Sequence, residues 1–309
     1  MLLIFLKHSF GYYIWPVCTG SAPTPTPTPT PTPYQSAGTV NLPQTGQTTS
    51  YDSNNPQWDD GALRDGVAWP NPRFTVNSDS TVTDNLTGLV WTKDASTPTV
   101  GSCTGGQMTW QAALSYVVCL NTASYLGHSD WRLPNVNELE SLVNDGHSST
   151  TWLNGRGFTG VRTTYWSSTT YANSTSYAWY VYMSTGGVYS YGKSSTNYVW
   201  ALRAGQSGSF GNSAIWSTGQ TILYDSNNPK RDDGALKEGV AWPTPRFADN
   251  GNNTVTDNLT GLIWAKDAST PTVGSCTGGL IPWQAAITSD QPSICQYADL
   301  LLLVGHYRS

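Results

Sequence analysis

The chain has 309 residues, only 11% of them are charged, and its formal net charge is −5. Roughly a quarter of the residues of an average soluble domain are charged, so this chain presents hydroxyl, amide and aromatic groups instead. The charges occur without runs of one sign, which argues against binding to the phosphates of nucleic acid. No apolar run approaches the ~18 residues of a membrane-spanning helix, so no transmembrane segment is expected.

The first 20 residues look like a degraded export signal. Lys7 and His8 interrupt their apolar stretch, whereas a working signal has a basic start and one unbroken apolar stretch. In residues 23–33, Pro alternates with Thr, a pattern that favours an extended polyproline II rod. An export signal followed by an extended rod predicts an exported protein, located at the cell surface, in the periplasm or outside the cell.

The five cysteines show neither a CxxC motif nor a cluster with histidines. No zinc site, no other metal site and no cofactor is therefore expected. Cys103 lies just before a predicted helix and Cys119 lies late within it, so a disulfide between them is sterically feasible. The sequence leaves open whether these two cysteines pair.

An internal repeat is the strongest signal in the sequence. Residues 51–113 and 224–286 align without a gap at an offset of 173, and 48 of the 63 positions are identical. The next 23 positions, 114–136 against 287–309, share no identity. Gradual divergence does not produce so sharp an edge, whereas a frameshift or a recombination junction near Ala286 does.

The repeat and the linkers divide the sequence into six segments. A hairpin and one helix start cannot bury the core that the complete copy builds from twice as much chain. We therefore predict that 224–309 is not an independent domain and that 287–309 is poorly ordered. The segments are a degraded export signal (1–20), a Thr/Pro-rich linker (21–50), a complete domain (51–206), a second linker (207–223), a truncated second copy (224–286) and a non-homologous tail (287–309).

The complete copy predicts a domain of the α+β class. Two β-rich runs around an Asn/Gly turn at 81–91 indicate a hairpin. Thr109 precedes a helical apolar stripe, and Asn135 is placed to cap a second helix, with Glu138 in the capping-box position. Residues 165–203 are strand-like, since aromatic and β-branched residues alternate there with Gly and Asn turns.

Five motifs follow one another in this copy: TVTDNLTGLVW (81–91), DWRLPN (130–135), YWSST (165–169), AWYV (178–181) and YVWALR (198–203). Together they resemble the Lcl C-terminal domain family, which is named for a collagen-like bacterial adhesin. Arg-Leu-Pro before a Glu-bearing helix is also similar to the sulfatase-modifying-factor family. The resemblance implies a C-type-lectin-like fold, in which two helices flank a twisted antiparallel sheet. No collagen Gly-X-Y tract is present, so collagen-driven assembly is not implied.

No catalytic residue is predicted. The formylglycine-generating relatives use a late cysteine pair, but no cysteine follows Cys119 in the complete copy, which excludes that oxidase chemistry. His128 and His147 have no nucleophile or acid partner that the sequence identifies, so we interpret them as loop residues. The stretches Asp59-Asp60-Gly61 and Asp84-Asn85 match no calcium-binding loop and are typical of turns.

Arg132 is expected to form a buried ion pair with Glu138 or Glu140 at the start of the second helix. Catalysis there needs a second acid or base, and the sequence offers none nearby. The pair is therefore interpreted as structural.

The candidate binding site lies in a tyrosine-rich stretch at 171–198. Strand alternation places Trp179 and Val181 on a core face, and Tyr180 and Tyr182 on the opposite face. Tyrosine is a large, rigid and amphipathic contact residue, which favours a binding surface. An ordinary polar sheet face is the alternative interpretation. The predicted ligand-binding residues are Tyr180, Tyr182, Tyr189, Tyr191, Lys193 and Asn197.

From these features we expect a non-catalytic recognition or adhesion module that binds a surface glycan or a protein. The first alternative is a structural envelope protein without a specific ligand. The second is an enzyme of the sulfatase-modifying type. No nucleic-acid partner is expected, and the sequence leaves the formation of a homo-oligomer open.

Overall fold

The chain divides into two compact units. Residues 69–242 form the first, called here the central unit. The described residues of 1–68 and 243–309 form the second, called here the split unit because its two segments precede and follow the central unit in the sequence. No helix in the described part of the chain is long and apolar enough to cross a membrane. The structure, a computed structural model, describes residues 17–18, 40–54, 57–203, 214–269, 272 and 278–289.

Both units combine short helices with antiparallel strands, so the α+β class predicted from the sequence is confirmed. In chain order the elements are β1 (Val17–Cys18), α1 (Asp60–Leu63), β2 (Phe74–Val76), β3 (Thr81–Asp84), β4 (Val90–Thr92), α2 (Trp110–Thr122), α3 (Val136–Glu140), α4 (Ser149–Asn154), β5 (Thr164–Thr170), β6 (Tyr177–Tyr182), β7 (Gly187–Gly192), β8 (Leu202–Arg203), α5 (Asp233–Leu236), β9 (Phe247–Asp249), β10 (Thr254–Asp257), β11 (Ile263–Ala265) and α6 (Trp283–Ser289).

The hairpin predicted at 81–91 forms the centre of the first sheet of the central unit. This sheet has the order β2-β3-β4-β8, and all neighbours are antiparallel. In the turn, Asp84 accepts hydrogen bonds from the backbone N–H of Leu86 at 3.0 Å and from the hydroxyl of Thr87 at 2.9 Å. The same carboxylate forms a buried ion pair with Arg73, 2.7 Å between Oδ1 and Nε. Asp84 is thus used in a turn and an ion pair.

Helix α2 begins at a threonine cap and buries one face. The hydroxyl of Thr109 accepts a hydrogen bond from the N–H of Ala112 at 3.4 Å. A disulfide joins Cys119, late on the helix, to Cys103 in the preceding loop, with 5.7 Å between the two Cα atoms. The pairing that the sequence left open is therefore present. The buried positions recur at helical spacing and include Trp110, Ala113, Leu114, Val117 and Leu120.

Helix α3 is short and is held by its N-terminal cap. Oδ1 of Asn135 accepts from the N–H of Glu138, and Oε2 of Glu138 accepts from the N–H of Asn135, each at 2.9 Å. These two bonds complete the predicted capping box. Glu138 also accepts two hydrogen bonds from the guanidinium of Arg132, at 2.6 and 2.5 Å. Both side chains are buried, so the predicted ion pair forms with Glu138 rather than Glu140.

Tryptophan dominates the core of the central unit. Trp200 lies edge-on to Phe158 and to Trp91, with ring centroids 4.9 and 5.4 Å apart. The indole N–H groups of Trp110, Trp166 and Trp200 each donate to a backbone carbonyl, so these large rings are buried without leaving their polar atom unpaired. The fully buried tryptophans are Trp91, Trp110, Trp131, Trp166 and Trp200.

The second sheet of the central unit packs on two different clusters. It has the order β5-β6-β7, and all neighbours are antiparallel. Tyr165 and Val181 are buried in one apolar cluster, and Trp166 and Ala178 are buried in the other. Because successive side chains point to opposite faces of a strand, each face of this sheet contributes to a separate part of the core.

The described sheet of the split unit has the order β1-β11-β10-β9, with antiparallel neighbours. Its strands β9, β10 and β11 lie 173 positions after β2, β3 and β4, and α6 begins 173 positions after α2. The predicted signal and Pro/Thr rod lie almost entirely outside the described residues. So does the tail predicted to be poorly ordered, apart from 287–289, which belong to α6.

Candidate functional site: a tyrosine face

Strand pairing brings four of the predicted tyrosines to one face of the second sheet. Tyr180 of β6 lies directly opposite Tyr189 of β7, and Tyr191 lies opposite Ala178. Paired residues share a face of the sheet, and alternate residues of one strand do as well. Tyr180, Tyr182, Tyr189 and Tyr191 therefore form one surface, called here the tyrosine face. The predicted alternation is confirmed.

Tyr180 is the centre of the tyrosine face. Its ring centroid lies 5.9 Å from that of Tyr189 and 5.9 Å from that of Tyr191. Beside it on β5 lies its ladder partner Trp166, which is fully buried, and the two rings are edge-to-face at 6.3 Å. The outer rings are open to solvent, with Tyr191 48% and Tyr189 37% exposed. The face is thus a supported aromatic cluster whose outer rings are available for contact.

The absence of a side chain at Gly187 makes room for one of these rings. Gly187 lies opposite Tyr182 in the ladder. A Cβ at position 187 would lie 2.4 Å from Cε2 of Tyr189, which is far too close for a real contact. The position of the Tyr189 ring therefore depends on glycine at the start of β7.

Burial and the neighbouring phenols raise the pKa of Tyr180. Removal from solvent is the main cause, and the nearby Tyr189, Tyr191 and Tyr182 add to it. The phenol of Tyr180 is therefore harder to deprotonate than that of an exposed tyrosine.

Lys193 follows the tyrosine face by two residues and is held against aromatic rings. Its Nζ donates to the hydroxyl of Thr170 at 2.8 Å and lies 3.9 Å from the ring centroid of Trp110. The ring of Tyr224 lies 4.8 Å from the same nitrogen. Partial burial lowers the pKa of Lys193 to about 8. The lysine is therefore a fixed, partly desolvated cation.

Tyr224 is a contact that sequence reasoning missed. The repeat assigns Tyr224 to the start of the second copy, yet it lies in the central unit and packs on the same cluster as Trp110. To predict this contact, the sequence would have had to show that 214–242 packs with the preceding domain. The repeat alignment contains no such information.

Asn197 does not lie on the tyrosine face. Its side chain is 5% exposed, and its backbone pairs with that of Met108 through two hydrogen bonds of 2.9 and 3.1 Å. The side-chain Nδ2 is buried and has no hydrogen-bond partner among the residues that the structure describes. A ligand on the surface of the sheet therefore has no direct access to this amide.

The opposite face of β6 differs in part from the expectation. Val181 is fully buried, as predicted. The prediction that Trp179 belongs to the core is wrong, because this ring is only half-buried and lies edge-on to Tyr171 at 5.0 Å. Tyr177, on the same side of the strand as Trp179, is 42% exposed. Each face of this sheet thus carries an exposed tyrosine.

The charged groups near the two helices are used in structural contacts. Glu138 binds Arg132 and caps α3, and His128 lies 3.0 Å from the carboxylate of Asp79. Among the residues that the structure describes, no group of three His, Cys, Asp or Glu side chains is arranged to hold a metal ion. The arrangement can recognise a ligand through rings, hydroxyls and one cation.

Comparison with known families covers the hairpin, α2, α3 and the whole second sheet. Residues 80–203 match the family model described as the Lcl C-terminal domain. These residues are an Lcl C-terminal domain. The tyrosine face therefore belongs to the Lcl C-terminal domain, and so do the disulfide and the Arg132–Glu138 pair. No curated protein matches the chain. Residues 214–242, although part of the same compact unit, lie beyond the matched range.

Proposed function

We propose that the central unit is a non-catalytic recognition or adhesion module, which binds a glycan or a protein through the tyrosine face. The observation that supports this proposal is the cluster of four tyrosines on one face of the sheet. Soluble proteins rarely leave such contiguous apolar surface exposed without a role in binding. Buried Trp166 lies 6.3 Å from the ring of Tyr180 and 6.4 Å from that of the exposed Tyr191, so the face is packed against the core.

Tyrosine rings suit a ligand with both apolar and hydroxyl groups. The ring faces accept C–H groups, such as those of a sugar ring or an aliphatic side chain, and each phenol both donates and accepts hydrogen bonds. Tyrosine also loses little conformational entropy on binding, because its side chain has only two rotatable angles. The ordinary pKa of a tyrosine phenol is about 10, so such a phenol is a protonated donor at neutral pH.

We further propose a C-type-lectin-like arrangement for the Lcl C-terminal domain. Helices α2 and α3 together with antiparallel strands support this assignment, and the resemblance of the motifs to the sulfatase-modifying-factor family supports it further. In this arrangement β5, β6 and β7 carry the binding surface.

We also propose that the protein is exported and acts at the cell surface, in the periplasm or as a secreted protein. The disulfide between Cys103 and Cys119 supports this location, because disulfides persist mainly in oxidising compartments.

A binding screen with the full-length chain tests the proposal. The labelled chain is applied to a glycan array and to intact cells, and each ligand found is titrated against single variants. Tyr191→Ala and Tyr189→Ala should each weaken binding by about 2 kcal/mol, or roughly 30-fold in Kd, as expected for a central aromatic contact.

Tyr177→Ala is the matched control. Tyr177 is exposed to a similar degree and lies on β6, but it points to the opposite face. The control should bind as tightly as the parent chain. Equal losses in all three variants would contradict the proposal, and absence of binding to any glycan or cell would favour a structural envelope protein.

A further inference from the structure

Strand β1 of the split unit occupies the place that β8 occupies in the central unit. In the central unit, Leu202 of β8 pairs with Trp91 of β4. In the split unit, Val17 of β1 pairs with Trp264 of β11. Trp264 lies 173 positions after Trp91, so Val17 takes the position of Leu202 in an equivalent antiparallel sheet.

The sequence around β1 gives the same correspondence independently. YIWPVCTG at 13–20 aligns with YVWALRAG at 198–205, with Tyr, Trp and Gly identical at the first, third and last positions. Apolar residues occupy the second and fifth positions of both stretches. This alignment again places Val17 on Leu202. Strand β1 therefore corresponds to the closing strand β8 of a domain of the same kind as the central one.

Each unit also contains a similar segment, called here a head segment. In the sequence, one head segment comes before β2 and the other comes before β9. The first head segment is 40–68, in the split unit, and the second is 214–242, in the central unit. In each head segment, one parallel bridge joins a residue near the beginning to a residue near the end. Pro43 pairs with Val67 in the first, and Trp216 pairs with Val240 in the second. A four-residue helix, α1 or α5, follows at the same spacing.

The two head segments are attached by the same pair of side chains. In the central unit, Asp225 accepts a hydrogen bond from Nε2 of Gln111 on α2 at 2.7 Å. In the split unit, Asp52 accepts from Nε2 of Gln284 on α6, also at 2.7 Å. In both cases the glutamine carbonyl accepts from the N–H of the residue after the aspartate, at 3.1 and 3.4 Å.

We propose that the described residues of 17–68 and of 243–289 are complementary parts of one domain and that they join copies of this chain head to tail. In the central unit, the opening hairpin and helix, the closing strand and the head segment follow one another within residues 69–242. In the split unit the closing strand and head segment precede the central unit in the sequence, and the opening hairpin and helix follow it. The partner is a second copy of the chain, whose 243–289 receives the 17–68 of the first.

The described contacts between the two parts do not require one chain. They include the β1–β11 ladder, the Asp52–Gln284 pair and a hydrogen bond of 2.8 Å from the N–H of Val40 to the carbonyl of Leu259. Each of these three contacts is non-covalent and can form equally between two copies, as in domain swapping. The share of pairing between chains then rises with protein concentration, because pairing within a chain competes at a fixed effective concentration.

Cross-linking between two full-length variants tests the proposal. One chain carries Asp52→Cys and the other Gln284→Cys, and both carry serine in place of Cys18, Cys276 and Cys295. After mixing, a short bismaleimide should produce a covalent dimer whose yield increases with protein concentration. In parallel, light scattering of the unmodified chain should show an average mass that rises with concentration.

The matched control uses the equivalent contact of the central unit. Chains carrying Asp225→Cys and Gln111→Cys, mixed in the same way, should give little covalent dimer, because both positions lie in one continuous unit. The proposal is overturned if the two mixtures give equal dimer yields. It is also overturned if the unmodified chain keeps a monomer mass at every concentration. Neither result depends on the ligand of the tyrosine face.

Discussion

Glu138 accepts two hydrogen bonds from the guanidinium of Arg132 and a third from the backbone N–H of Asn135. One carboxylate thus neutralises a buried cation and fixes the start of α3. Burying a charge is tolerated only when its partner and hydrogen bonds are all in place, so the two residues depend on each other. Their contact links the Arg-Leu-Pro motif to the helix that follows it.

Replacement of Glu138 by Ala should lower the free energy of unfolding by about 3–5 kcal/mol, because it removes both carboxylate hydrogen bonds from the buried Arg132 guanidinium and leaves it with the more distant Glu238 carboxylate, 3.8 Å from Nε. Urea denaturation followed by tryptophan fluorescence measures the loss. Asp130→Ala is the control, since Asp130 pairs with Arg203 at 2.7 Å where both side chains are partly open to water. That variant should lose less than about 1 kcal/mol. Similar losses for both variants would contradict the assigned role.

Removal of the disulfide should destabilise the central unit. Cys103 and Cys119 are separated by 16 positions, and closing a loop of that size stabilises a protein by roughly 3 kcal/mol in the chain-entropy description. The double variant Cys103→Ser with Cys119→Ser should therefore melt at a lower temperature than the oxidised parent. A reductant should lower the melting temperature of the parent and leave that of the variant unchanged. A reductant effect of equal size on both would place the relevant bond elsewhere.

The stability of the protein should depend on Lys193 at alkaline pH. Its pKa is about 8 in the folded chain against an ordinary value of 10.5, so the unfolded chain binds this proton more tightly. Below pH 8 the cost of burying the charge is fully present, and between pH 8 and 10.5 it is progressively relieved. The free energy of unfolding of the parent relative to Lys193→Met should therefore increase across this range. Because Lys193 is partly exposed, the increase should fall well below the ~1.4 kcal/mol per pKa unit of a fully desolvated group. A constant difference from pH 7 to 10 would show that burial does not affect this amine.

The second head segment should be required for the full stability of the Lcl C-terminal domain. Asp233 accepts a hydrogen bond from the hydroxyl of Thr169 at 2.9 Å, and the carbonyl of Trp216 accepts one from Nδ2 of Asn137 at 2.9 Å. In the full-length chain, Asp233→Ala should lower the free energy of unfolding by about 1–3 kcal/mol, since it removes the acceptor of the buried Thr169 hydroxyl hydrogen. A fragment of residues 69–242 should likewise melt at a higher temperature than one of residues 69–206. Equal melting temperatures would show that 214–242 is dispensable.

Local signals in the sequence were enough to predict the hairpin, the start of α2 and the cap of α3. Each depends on residues within a few positions, such as the Asp84 turn or the reciprocal bonds of Asn135 and Glu138. Helix α4 was not predicted, because its sequence STTWLN is poor in strong helix formers. Its formation depends on distant contacts, including that of Trp152 with Phe74, whose ring centroids lie 5.6 Å apart.

The candidate site shows the same division between local and distant information. Strand alternation predicted that Tyr180 and Tyr182 share a face, because that property depends only on the period of the strand. Burial of Asn197 and half-exposure of Trp179 depend on which segments cover each face, and alternation contains no such information. The position of Tyr224 beside Lys193 required knowing that the start of the second copy packs on the first.

In the sequence, each head segment is followed directly by a hairpin that belongs to the other compact unit. This arrangement affects how such a protein can change length in evolution. The compact central unit begins at Trp69, and its counterpart Trp242 ends it, so the structural boundary falls inside the repeated stretch, 51–113 and 224–286. Unequal recombination anywhere within that stretch inserts or removes one whole period of 173 residues. Each insertion would bring its own closing strand and its own head segment, so the added module would be complete and neither end of the chain would change. Related genes should accordingly differ in length by multiples of this period.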